Sequence, residues 1–506
     1  MNLPPLISSI INANAQRPYV FILLIHVGFY FINHPIPKLS DEAAYVDIAS
    51  QIADGNIPHA SHTFFDRYTT IFSLALFTKL LGYSRFVIHA GNLLVFALSL
   101  PLIFNILKRL HKQNAVLILM IYGLHPATFF FIKDCHPDLY FSVFTTLSFL
   151  LYTLFIAAGR KLKHFAAFIT ALFITFITKE TVLIPTIAFA LIGVIYYKKV
   201  FTLKLIIFAF LLLALCAICY QTIANAFDTT LLERITHTKQ GITNATLNTI
   251  SSNKNYLLNR FTSRLYDILF ISKQTQFLAI GVVPAFYFLT TRFKNVFTTS
   301  AAVLFLVGIT YLSFGSVSFS SYVPIKLSTR FWIFLIAPFA VLIAHFIRIK
   351  QQTTLVLLIV YLLLHITPNR YLHIYFAISL IFVAFWIYNI NRKKAYVKSI
   401  PWLLFFMSIY ISLTQNYTRN KEPKSLKMAI AKNGITTLYV DDRLNNWNYV
   451  LLEGHKTNVH FKPWQQQNPT GYYWKTNMRK MQNSEFVKQK HDTLFYDGIN
   501  ALLYFK

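Results

Sequence analysis

Apolar runs of roughly 15 to 22 residues recur along most of the chain, each close to the ~20 residues with which an α-helix crosses a hydrocarbon core. The pattern predicts thirteen such spans: Pro18 to Asn33, Arg85 to Leu107, Ala115 to Ile132, Leu139 to Ala158, His164 to Thr178, Val182 to Tyr197, Leu203 to Gln221, Gln276 to Thr290, Val296 to Phe314, Arg330 to Ile347, Thr353 to Ile366, Tyr371 to Tyr388 and Ile400 to Leu413. One apolar stretch, Thr70 to Leu81, is too short and stops at Gly82, so it is expected to lie in the membrane interface. The first span lacks a small-x-small cleavage site and runs into His34-Pro35-Ile36-Pro37, which favours an uncleaved anchor.

Past Leu413 the pattern turns polar and mixed. Ile435 to Val440 reads as a strand running into a turn at Asp441-Asp442, and Thr493 to Tyr496 as another. The expected organisation is a membrane helix bundle over residues 1–414, with outer loops at 34–84 and 222–275, followed by a small α/β domain over residues 415–506 on the outer side.

Composition agrees. Hydrophobic residues make up 55% of the 506 and charged ones 13%, against about 25% charged in soluble domains. The 47 Lys and Arg against 18 Asp and Glu are dispersed in short clusters between apolar runs, which excludes a nucleic-acid face and sets the orientation. With the N-terminus cytoplasmic, the inner loops and helix ends carry Lys108, Arg109 and Lys112; Arg160, Lys161 and Lys163; Lys198, Lys199 and Lys204; Arg292 and Lys294; Arg348 and Lys350; and Arg392, Lys393, Lys394 and Lys398. All 11 carboxylates before residue 400 then fall outside. Carboxylates barely influence topology, so their one-sidedness calls for another cause, and a polar reaction site at the outer boundary supplies one. Cys135, Cys216 and Cys219 offer neither a disulfide framework nor zinc spacing, and Cys216-x-x-Cys219 reads as helix packing.

Ser40-Asp41-Glu42-Ala43-Ala44-Tyr45 places two adjacent acids after the first span, in a chain with few to spare. A capped surface helix stopped by Gly55 is the plain alternative. The second outer loop packs Lys133, Asp134, Cys135, His136 and Asp138 between two membrane helices, where ionisable groups are costly. The third is Thr178-Lys179-Glu180-Thr181, for which a self-compensating Lys179–Glu180 pair is the simple reading. Lys326 and Arg330 lie four apart and would share a helical face, presenting two cations to a phosphate. Together these loops suit a lipid-linked phosphate whose tail stays in the bilayer, with cations to hold the phosphate as it leaves and a carboxylate to take a proton from an attacking hydroxyl.

The order of these features resembles the integral-membrane glycosyltransferases of the GT-C fold, in particular the bacterial branch related to protein O-mannosyltransferases and lipid A aminoarabinose transferases. The likeness is carried by Asp41-Glu42 with Tyr45 and the Ile52-Ala53-Asp54-Gly55 helix end, then the Tyr68 to Gly82 interfacial helix. Asp138 opening the fourth span, Lys179 after the fifth and Arg330-Phe331 leading to Pro338 complete it, over roughly residues 18 to 414. Relatives often have a basic-Pro-Pro element where this chain has Arg67-Tyr68-Thr69-Thr70.

The resemblance implies inverting sugar transfer from a polyprenyl-phosphate donor to a lipid, glycan or protein acceptor at the outer face of the cytoplasmic membrane. It makes Asp41 the base, Glu42 its neighbouring or substitute carboxylate, Asp138 the second acid, and Lys179 and Arg330 phosphate ligands. Tyr45, Arg67, Lys133, His136, Glu180 and Lys326 join them as candidate substrate-binding residues. No cofactor is expected. A divalent ion on Asp41, Glu42, His136 and Asp138 is the alternative, since these are hard or borderline ligands. The competing function is a transporter or flippase for an anionic lipid-linked solute, which would place charges inside the spans and use symmetric halves; neither is visible here. A third reading is a non-catalytic scaffold that presents the tail domain.

Overall fold

A computed structural model describes residues 17–32, 41–57, 66–82, 84–159, 161–196, 202–234 and 236, then, with interruptions, 256–290, 295–316 and 325–357, and in the tail 430, 432–440, 460–463, 471–475, 491–496 and 501–505. The helices are α1 (Pro18–Ile32), α2 (Asp41–Ala53), α3 (Tyr68–Leu81), α4 (Arg85–His111), α5 (Ala115–Leu124), α6 (Pro126–Ile132), α7 (Asp138–Ala157), α8 (Leu162–Thr178), α9 (Leu183–Ile195), α10 (Leu203–Ala226), α11 (Val282–Thr290), α12 (Val296–Phe314) and α13 (Ile336–Ile349). Among the described residues five helices are long and apolar enough to cross a membrane, or up to six if a bent pair counts as one. With five shorter apolar helices beside them, they make a multi-pass membrane protein. The last three expected spans lie outside the described residues, apart from a few positions at the start of the first.

Local signals place the ends. Ser84, Thr202 and Asn295 are extended, and their side chains accept from Val87 N (3.3 Å), Leu205 N (3.3 Å) and Phe297 N (2.9 Å), capping α4, α10 and α12. Gly55, with φ +88°, follows the first-loop helix where a stop was expected. The expected span Ala115 to Ile132 is instead broken into α5 and α6, bent by 53°. Pro126 drives His125 out of the helical region to φ −65°, ψ 138°, and His125 Nδ1 then caps Ala127 N at 3.2 Å. The Arg330 span likewise opens with a 3-10 segment, Thr329–Leu335, before α13.

Helix α7 is the axis of the bundle. It packs against α4, α8, α12 and the 3-10 segment, and nearly all of it is buried. Four of its hydroxyls find protein partners: Thr146, Ser148 and Thr153 donate to carbonyls four residues back at 2.7–2.8 Å, and Ser142 reaches Ile333 O at 3.2 Å. Helix α10 behaves oppositely, turning Phe210, Leu211 and Ile218 outward as a helix facing hydrocarbon does. Buried Arg260 clamps the end of α12, its guanidinium donating to Ser313 O (3.1 Å), Leu312 O (3.1 Å) and Ile325 O (2.5 Å), which satisfies carbonyls that a helix end leaves open.

In the tail, β1 (Thr437–Val440), β2 (His460–Pro463), β3 (Gly471–Lys475), β4 (His491–Tyr496) and β5 (Ala501–Phe505) form one mixed sheet in the order β2-β1-β3-β5-β4. Strand β1 runs parallel to β2 and β3, while β5 is antiparallel to β3 and β4. Both expected strands are in it.

Gly308 of α12 faces Leu335 and Phe334 of the 3-10 segment, and a Cβ there would run into both side chains. Gly308→Val is therefore expected to destabilise the bundle by about 1–3 kcal/mol, read as a lower thermal-unfolding midpoint in detergent. Gly28→Val on α1, with nothing within 4 Å of an added Cβ, should leave it unchanged.

Candidate active site

Four elements meet at the end of the bundle where α7 begins: α2, the start of α3, the loop between α6 and α7, and the turn between α8 and α9. Residues far apart in sequence pair there. The Lys179 ammonium binds Asp138 Oδ1, and both side chains are almost fully buried. Glu180 instead grips Arg67 with both oxygens, Nη2 to Oε1 at 2.8 Å and Nη1 to Oε2. The self-compensating Lys179–Glu180 pair is thus not formed. Lys179 is extended, at φ −161° and ψ 138°, and Glu180 begins a 3-10 turn, so the neighbours reach different partners. Thr69 and Thr178 hydrogen-bond through their hydroxyls and tie α3 to the end of α8.

The Lys179 ammonium lies 4.4 Å from the Phe331 ring centroid, and the Arg330 guanidinium 5.5 Å from it. Two cations therefore lie against one aromatic ring, with the Asp138 carboxylate beside Lys179. Burial pulls the Lys179 ammonium down to about 8; Asp138 opposes the shift, and Arg330 adds to it. The second oxygen of Asp138, Oδ2, is buried without a hydrogen-bond partner among the described residues.

On the α2 side, Glu42 is fully buried, with Oε1 3.6 Å from His136 Nε2. Tyr45 meets the His136 ring edge-on at 6.1 Å and lies against the Arg67 guanidinium, which joins the two halves of the site. Glu42, Asp134 and His136 each offer one ligand atom within 4.8 Å of the others, so this trio, not Asp138, is the set that would hold a metal ion. Asp138 is committed to Lys179. The Lys133 ammonium is buried 5.4 Å from the Phe29 ring centroid.

Asp41 is the first residue of α2, one position before Glu42; its side chain is outside the described set. Ser40, its expected cap, and Lys326 also lie outside the described residues. The helical turns carrying Arg330 start at Thr329 after an extended Ser328, so a continuous helix does not link positions 326 and 330. The Cys216-Cys219 packing expectation holds for half-buried Cys216 only, since Cys219 is exposed.

Three residues of the site were not singled out as site residues by sequence: Asp134, Phe331 and Arg234. Arg234 is buried against Tyr68, Phe176 and Tyr220. The signal that existed was Thr230-Leu231-Leu232-Glu233, a capping-box spacing just before it.

A multi-helix bundle with a buried charged site fed by the loops of one end defines an integral-membrane architecture that can be compared with solved structures. No family model matches the chain, and no curated protein does. ArnT from Cupriavidus metallidurans bound to undecaprenyl phosphate is similar with a TM-score of 0.62 and 11% identity, over 96% of this chain and 97% of that one. The apo state of the same protein gives 0.60 and 12%, over 97% and 98%. At such identity the likeness shows the fold alone: over the matched length the chain folds like ArnT.

The buried pair yields a test. Asp138→Asn and Lys179→Met should each cost about 3–5 kcal/mol by stranding the other partner, and the double variant should cost clearly less than their sum. Equilibrium or thermal unfolding of the four proteins measures the cycle.

Proposed function

We propose that the chain is an inverting glycosyltransferase that moves a sugar from a polyprenyl-phosphate carrier to a lipid, glycan or protein acceptor at the outer face of the cytoplasmic membrane. The observation that carries this reading is the pair of cations, Lys179 and Arg330, gathered against the Phe331 ring beside the carboxylate of Asp138. Two cations so placed can bind a phosphate. The likeness to a protein whose structure is bound to undecaprenyl phosphate supports a lipid-linked phosphate in that role.

In this mechanism Asp41 takes the proton from the acceptor hydroxyl as its oxygen attacks the anomeric carbon. The bond from that carbon to the phosphate oxygen breaks on the opposite face, inverting the configuration. Polyprenyl phosphate departs with the electron pair, and Lys179 and Arg330 stabilise its charge. Glu42, held by His136, stands beside the base, and the Arg67–Glu180 pair with Tyr45 fixes the first loop over the site. The chemistry needs no metal. The sheet of the C-terminal tail belongs to an extracytoplasmic domain in this arrangement.

Asp41→Asn should lower transfer from a polyprenyl-phosphate sugar by about 10²–10⁴-fold while leaving donor binding and the unfolding midpoint in place. Wild-type turnover by the folded variant would remove the assigned base. EDTA should leave the rate unchanged; a loss restored by a divalent ion would instead make Glu42, Asp134 and His136 ligands.

The Lys179 cation is present below about pH 8 and lost above it. Donor affinity of the free protein should therefore fall as pH rises through about 8, and Lys179→Arg, charged throughout, should abolish that fall.

A further inference from the structure

The loop that brings Asp134, His136 and Asp138 into the site is held from α4, outside the four elements that meet there. Helix α6 ends at Ile132, and the last carbonyls of a helix lack partners of their own. Lys133 N and Asp134 N turn back onto Phe130 O (3.3 Å) and Phe131 O (3.2 Å). The Asn92 carboxamide of α4 takes up the rest: Nδ2 donates to Asp134 O at 2.5 Å and approaches Phe131 O and Ile132 O at 3.4 Å each. Asn92 is 2% exposed, and a buried amide without such acceptors would be costly.

Its neighbours on α4 act on the same stretch. One turn earlier the fully buried His89 ring sets Nδ1 3.7 Å from Cys135 Sγ. Gly91 leaves space for the hydrogen bond from the Tyr140 hydroxyl to Ser73 Oγ, 2.7 Å, which ties the first turn of α7 to α3; a Cβ at position 91 would run into both side chains. His89, Gly91 and Asn92 thus seat the loop and the start of α7 together.

Both halves of the site hang on this seat. His136 reaches Glu42 on one side and Asp138 reaches Lys179 on the other, only two residues apart. Both follow Asp134 by no more than four residues, so a shift of its carbonyl displaces the two contacts at once. Displacements of about 1 Å in reacting groups cost on the order of 10²-fold in rate.

We infer that Asn92 is a positioning residue for the transfer reaction, holding through one backbone carbonyl both the carboxylate that meets Lys179 and the imidazole that meets Glu42. Its bearing on transfer rests on the transferase reading; its grip on Asp138 does not.

The test compares wild type with Asn92→Leu, which fills the same place without a donor, using undecaprenyl phosphate as the probe on the full-length protein in detergent. Asp138, Arg330 and Arg67 all act on Lys179, and of these Asp138 alone supports its charge. If the loop loosens, that support weakens. The fall in affinity expected at about pH 8 should then move to lower pH, while binding well below the fall stays as in wild type. A purely structural Asn92 would lower the unfolding midpoint and leave the pH of the fall where it was, which overturns the inference. So does an affinity reduced equally at every pH, which reports a damaged site. Combined with Asp138→Asn, Asn92→Leu should lower the unfolding midpoint by less than the sum of the two single shifts, because both act on one contact; additive shifts overturn the inference. That cycle decides the matter alone should the wild type ignore undecaprenyl phosphate, a result that removes the donor reading. If Asn92→Leu fails to fold, Asn92→Ser, too short to span to the Asp134 carbonyl, is read on the same outcomes.

Discussion

A charge at the edge of a hydrocarbon layer has little water to lean on, and this one constraint arranges the polar end of the bundle. Desolvating an ammonium or carboxylate costs several kcal/mol, which only close pairing or hydrogen bonding returns. Lys179 and Asp138, both nearly inaccessible, meet each other, and Arg67 meets Glu180 with two parallel bonds. Each pair joins segments that the chain separates, the loop before α7 with the end of α8, and the start of α3 with the turn before α9. The pairs thereby act as fasteners of the tertiary fold as well as occupants of its polar site.

The same constraint shapes what the site offers a substrate. At the Phe331 ring two cations, Lys179 and Arg330, lie beside the carboxylate of Asp138. Burial that lowers the Lys179 pKa makes its positive form dependent on such partners, so an incoming anion and the ammonium favour one another. Across the site, Glu42, Asp134 and His136 gather the opposite charge near the helix that Asp41 opens. Tyr45 touches both regions, so the polar residues of α2 and those of the α8–α9 turn form one continuous neighbourhood.

Much of this was legible in the chain because membrane spans write themselves in long apolar runs. The boundaries of α12 match the expected Val296 to Phe314 run, and α1, α4, α7 and α8 lie within a few residues of theirs. Where the reading slipped, a local backbone effect decided: Pro126 breaks the α5–α6 run, and a 3-10 segment opens the Arg330 span, so the helical pairing of Lys326 with Arg330 lost its basis. The short helix expected from the Thr70 to Leu81 run is α3, and it stops at Gly82 as expected.

What the sequence determined alone was the membrane class, the helix positions and the crowding of acids into the loops of one side, all of which follow from hydropathy along a line. Partner choice was decided only in three dimensions. Lys179 and Glu180 are adjacent and of opposite sign, and pattern favours pairing them; the extended backbone at Lys179 turns one toward Asp138, 41 residues back, and the other toward Arg67, 113 back. Arg234 shows the same limit, since nothing in a loop of mixed composition announces that three aromatic rings from α3, α8 and α10 will enclose it. Coulomb energy and desolvation depend on distance and burial, and both come into being when the helices pack.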